Sequence, residues 1–332
     1  MPTLCAGVAS IDITPPVGVA LAGGAFGAST GVLHPLSAQA LFLTDGFTGV
    51  LLLSADVIGF GTAYADAVRA AAARRCGVPA ARVMLAATHT HSGPATAASN
   101  GGAPGEDYRR RLQKQLVELA AQASASPRPV EIAAGYGTCA GITVNRAVEG
   151  GPVDEQVCVV RLDAPDGRPL AALVNYACRP VTLQGYQGLI SPDFPHLVRA
   201  RIREALNPEM EVLYLTGAAG DLDPAGAESA LAAFRRTGNT LGAAALQALS
   251  NAQPDRSGAL AAAECSLQAL RLGPAAVVGL PGELFHASGK QIKAASPFPV
   301  TLISTQTNGS KGCIPGHSLS CETAALLARL NE

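Results

Sequence analysis

Tryptophan is absent from the 332 residues, and the aromatic share of the sequence is only 4%. That scarcity removes the interfacial aromatic belt by which proteins anchor at a bilayer surface. No apolar stretch approaches the roughly 20 residues that a membrane-spanning helix needs, so stable membrane insertion is not expected. Charge is scarce too: 15% of residues are charged, the formal net charge is -1, and Lys and Arg nowhere form a run that could follow a phosphate backbone. Nucleic acid is excluded as a partner on that ground. The eight cysteines are scattered without a CxxC pair, which reads as reduced thiols rather than a disulfide framework. The opening "MPTLCAGVASIDITPPVG" lacks the charged start and long apolar region of a secretory signal. The expectation is a cytoplasmic protein whose mature chain begins near Met1.

What the sequence does have is apolar residues, 48% of the total, arranged in alternating strand-like and helix-like runs. "GVLLLSADVIGF" (49–60) reads as a buried strand, and the Ala-rich 63–77 as a helix that Gly77 stops. "RVMLAATHTH" reads as a strand that carries His89 and His91 to its C-terminal end. Residues 106–123 form the most obvious amphipathic helix. Two apolar runs joined through Pro165, Asp166 and Gly167 read as a hairpin. Helices are expected at 194–206 and again within 227–249. This alternation predicts an α/β fold, a mixed sheet with helices on both faces, as one domain over residues 1–332. Sites in such folds form beyond the carboxyl ends of the strands. A near-neutral, Ala-rich helix surface would also suit a homodimer.

The polar motifs fall where such a site would form. In an extended chain His89 and His91 point to the same side, so they can ligate one metal, or one can ligate while the other moves protons. A pair of merely hydrogen-bonded histidines is equally compatible with this dipeptide. "TVNRA" offers Asn145 and Arg146, "LISPDFP" offers Asp193, "GAAGDLDP" offers Gly220, Asp221 and Asp223, and "LPGELF" offers Glu283. Taken singly, Asp193 reads as a helix cap, Asp221 as a turn former and Glu283 as a favourable charge in a helix's first turn.

Together and in this order, with "GVASIDITPPVG", "ATHTHSGP", "NYACRPVTL" and "NGSKGCIPG" leading to "CETA", these motifs resemble the catalytic domain of the neutral/alkaline ceramidases, nearly end to end. Those are zinc amidohydrolases that cleave an N-acyl bond. A further C-terminal β-sandwich domain, frequent in that family, is not expected here. The resemblance implies zinc at His89 and Glu283, with His91 beside the metal and Arg146 on the reacting group. Asn145, Asp193, Gly220 and Asp221 are expected to line substrate. The departures fall on the site. Arg179 stands where the family has a histidine ligand, and a guanidinium has no lone pair to give a metal. Cys313 and Cys321 stand at two tyrosines, one of them a ligand, and Asp223 replaces a serine that contacts substrate.

Three readings stay open. Zinc-dependent hydrolysis of a small N-acyl or acyl substrate comes first, with a cysteine as substitute ligand. Otherwise Arg179 takes the metal's place and pairs with Glu283, while Cys313 or Cys321, activated by the field of His89, His91 and Arg179, is the nucleophile of an acyl transferase or cyclase of specialised metabolism. The third is an inactive ligand-binding homologue. Cys76, Cys158 and Cys178 read as small core residues.

Overall fold

The computed structural model describes residues 3–22, 27–97, 105–226, 229–255, 257–314 and 319–331. Mixed α/β structure is present throughout, divided among several mixed sheets. The first larger sheet runs Val83–Ala87, Gly49–Ala55, Ser37–Thr44, Cys5–Asp12, Arg128–Pro129. Within it only Val83–Ala87 and Gly49–Ala55 are parallel. Helices α1 (Thr62–Cys76) and α2 (Glu106–Ala125) pack on it. The second sheet runs Glu211–Thr216, Pro169–Tyr176, Gln156–Asp163, Glu131–Thr138, Gln253–Asp255 and carries α3 (Pro195–Ala205) and α4 (Ala230–Ser250). The third runs Leu260–Glu264, Gln268–Leu272, Ala275–Gly279, Val300–Ser304, with α5 (His286–Ala295) and α6 (Leu319–Asn331).

The faces turned away from the helices meet in one core. Leu41, Leu52 and Met84 of the first sheet pack there with Val160, Leu173 and Leu213 of the second and Leu270, Val277 and Leu302 of the third. Central strands are thus covered on both sides, and for this reason "GVLLLSA" is a continuous apolar run rather than an alternating one. The hairpin forms as its turn chemistry predicts, with Asp163 and Pro169 paired at its mouth. Among the described residues no helix is long and apolar enough to cross a membrane.

Candidate active site

Parallel neighbours Gly49–Ala55 and Val83–Ala87 end at the same edge of the first sheet, and their loops stay pinned together. Thr88 N donates to Ala55 O at 2.9 Å and His89 N to Val57 O at 3.0 Å. The strand stops at Ala87, earlier than its sequence suggests, because His89 turns into the left-handed region at φ +67°. A non-glycine residue held there costs about 1–3 kcal/mol. The extended-chain rule therefore fails for the two histidines. Their rings meet at 89° with centroids 4.9 Å apart, and the Nε2 atoms lie 3.3 Å from each other.

His89 is buried, and its Nδ1 lies 2.6 Å from Ile58 O. A carbonyl only accepts, so Nδ1 bears the proton and Nε2 of the neutral ring keeps its lone pair. His91 Nε2 is then the donor in the contact between the rings. Burial pushes the His89 pKa down against the pull of the Glu283 carboxylate. His91 falls to about 2, through burial first and then through His89, Arg179 and Arg146. Both rings are neutral near pH 7.

Glu283 opens the short strand Glu283–Leu284, which runs parallel to Cys313–Ile314. Gln306 joins the segments that bear Glu283 and His89, its N–H donating to Gly282 O and its carbonyl accepting from Ala87 N, each at 3.2 Å. Glu283 Oε1 ends 3.5 Å from His89 Nε2. Two acceptors, a carboxylate oxygen and an imidazole lone pair, thus face each other with no proton between them.

Two cations flank this pair closely enough to lower both histidines. Arg146 follows the strand Thr143–Asn145, which pairs antiparallel with Leu222–Pro224. Its Nε and Nη2 donate to Gly220 O at 3.1 and 2.6 Å. A side chain at Gly220 would place its Cβ 2.9 Å from Glu283 O, so only glycine lets the two segments approach. Arg179 pairs with Asp223, not with Glu283: Nε donates to Oδ1 at 2.6 Å and Nη2 to Oδ2 at 2.9 Å. This bidentate geometry fixes the guanidinium plane.

Other expected residues are turned to the scaffold. Asn145 Oδ1 accepts from Ala147 N and Val148 N, and its Nδ2 donates to Pro152 O. Asp193 is fully buried, and its carboxylate accepts from Thr182 Oγ1, Leu183 N and Phe194 N. Asp221 is held by His286. The polar atoms of these three thus already have partners within the chain. Cys313 is exposed, and its backbone is in register with Glu283 on the neighbouring parallel strand. The side chain of Cys321, in α6, lies outside the described residues.

Among solved structures the chain resembles the crystal structure of neutral ceramidase from Pseudomonas aeruginosa, with a TM-score of 0.81 over 98% of this chain and 72% of that one, at 16% identity. The fold is that of neutral ceramidase. A ceramidase complexed with C2 superposes with a TM-score of 0.80 at 15% identity, over 99% and 74% of the two chains. No protein-family model and no curated protein matches the sequence.

On this ceramidase fold the zinc expected at His89 and Glu283 meets an unsuitable donor set. A catalytic zinc takes three protein ligands, and among the described residues no three His, Cys, Asp or Glu side chains converge to hold a metal ion. Arg179, in place of the expected histidine, is tied to Asp223. The described residues do not fit a resident zinc. Two polar groups beside the site escape the sequence altogether. His286 sits in no recognisable motif, and Asp56, buried in a bidentate pair with Arg199 and bonded to Thr88 Oγ1, reads only as one polar residue within an apolar run.

Proposed function

We propose that the protein hydrolyses an acyl bond, foremost an amide, in a small N-acyl or acyl substrate, with His89 and Glu283 activating the reacting water. The observation that carries this reading is the facing acceptor pair, His89 Nε2 and Glu283 Oε1 at 3.5 Å, set between two guanidinium groups. Water is the simplest molecule that donates to both atoms. As its oxygen attacks the acyl carbonyl, Glu283 takes the proton, and the carbonyl oxygen becomes an oxyanion. Arg146 and Arg179 have committed Nε and Nη2 to Gly220 and Asp223, which leaves Nη1 of each to receive that charge. Fixed donors aimed at a developing oxyanion are worth about 10²–10³ in rate apiece. The proton held by Glu283 passes to the leaving amine as the C–N bond breaks. The single lone pair of His89 Nε2 serves one donor at a time, so the water takes it in place of the 3.3 Å contact from neutral His91.

The test is hydrolysis of an N-acyl p-nitroanilide series of graded acyl length. Wild type is expected to release nitroaniline, while His89→Ala and Glu283→Gln fold normally and lose at least about 10²-fold in kcat, the usual range for a missing general base. Full activity in both variants would refute the assignment.

A further inference from the structure

One short turn carries both active-site cations. Gly220 O receives Nε and Nη2 of Arg146, and Asp223 receives Nε and Nη2 of Arg179. The backbone N–H groups of the same two arginines donate to Asp221 O at 2.9 Å and Leu222 O at 3.3 Å. Each of these contacts moves if residues 220–223 move. The turn is in turn gripped from α5. Asp221 Oδ1 accepts the backbone N–H of His286 at 2.9 Å, and Oδ2 accepts the ring Nδ1–H at 2.7 Å. Both residues are 5% exposed. The remaining neighbour of Oδ2, Asn145 Nδ2, stands at 3.5 Å.

We propose that His286 is a positioning residue of the active site: by holding Asp221 it sets the turn that presents Arg146 and Arg179 to the acyl oxygen. The role in catalysis rests on the acyl-bond reading above, whereas the grip on the turn does not. Without the ring, a buried carboxylate oxygen loses its short charge-assisted bond, and the turn relaxes towards other donors. Guanidinium groups displaced by even 1 Å stabilise an oxyanion poorly, and a loss confined to the transition state lowers kcat while KM holds.

The experiment compares His286→Ala with His286→Asn, whose Nδ2 occupies the place of the ring Nδ1 and still donates to Asp221. On an N-acyl p-nitroanilide the alanine variant is expected to lose about 10–100-fold in kcat with little change in KM, and the asparagine variant to recover most of the rate. Independently of turnover, the Nε–H NMR signals of Arg146 and Arg179, assigned by their loss in Arg146→Lys and Arg179→Lys, should lose protection from exchange in His286→Ala and regain it in His286→Asn. Should the alanine variant fail to fold, His286→Gln, whose amide lies one bond further out, is read in the same way. Unchanged arginine signals in a folded variant overturn the proposal. Altered signals in a protein that hydrolyses nothing uphold the grip on the turn and refute the acyl-bond reading instead.

Discussion

His89 shows what a sequence can and cannot say about a single residue. Its type, its place after an apolar run and the company of Arg146, Arg179, Asp223 and Glu283 all mark it, and these side chains do converge. Its left-handed backbone is invisible, because nothing in "ATHTHSGP" announces that the strand stops at Ala87, four residues early. Partner choice is equally hidden: Arg179 meets Asp223 rather than Glu283. The thiols follow burial. Cys139 and Cys158 are each pushed up to about 11 by desolvation, and Cys178 is raised further by the same cause. Iodoacetamide at neutral pH is therefore expected to label exposed Cys265 and Cys313 and to spare those three. Cys313→Ser should keep the wild-type rate; its inactivation would bring acyl transfer through the thiol forward. At the mouth of α3, His34 stacks on His196 with centroids 4.2 Å apart. Burial lowers both, His196 to about 4. A folded-state pKa below the unfolded 6.5 means that the unfolded chain takes up the proton first, so the contribution is whole above about 6.5 and is lost as pH falls towards 4. His196→Phe is expected to flatten the fall in melting temperature over that window, and an unchanged slope would remove this pair as its cause.

Elements were more legible than their pairing. Periodicity places α1 to α4 within a few residues, and "DAPDG" places the hairpin turn. A strand buried on both faces carries no alternation to say which neighbour it takes, so the division into three sheets sharing one core could not be read from apolar runs such as "GVLLLSA". Helix packing was hidden as well. In α4, Gly238 seems a poor choice for a helix interior, where alanine is favoured by about 1 kcal/mol. A Cβ at that position would lie 2.6 Å from Leu197 Cβ of α3. Overpacking of this kind costs about 1–3 kcal/mol. Gly238→Ala is thus expected to destabilise, by up to about 2 kcal/mol in denaturant titration once the helix gain is subtracted; stabilisation would mean that α3 and α4 can separate freely.

Across the whole molecule, the Asp56–Arg199 pair ties the loop beneath His89 to α3 on the second sheet. Asp56 also accepts from Ser37 N, Ser37 Oγ and Thr88 Oγ1, so both oxygens are fully used. Breaking such a buried pair from one side costs about 3–5 kcal/mol, and Asp56→Ala should lower stability by that amount while also disordering His89. The scaffold thereby reaches the chemistry from all three larger sheets: the first supplies His89 and His91, two loops of the second supply Arg179 and, after Glu211–Thr216, Asp221 and Asp223, and the turn after Ala275–Gly279 of the third supplies Glu283. The proposed cleavage of an acyl bond uses the protein's own side chains, with the two arginines giving the positive charge. The most direct test is the rate of N-acyl p-nitroanilide hydrolysis before and after exhaustive chelation, with zinc counted in the same samples. Hydrolysis is expected to survive chelation in protein that holds well under one zinc per chain. Activity that disappears with stoichiometric zinc and returns when zinc is added back would contradict this expectation.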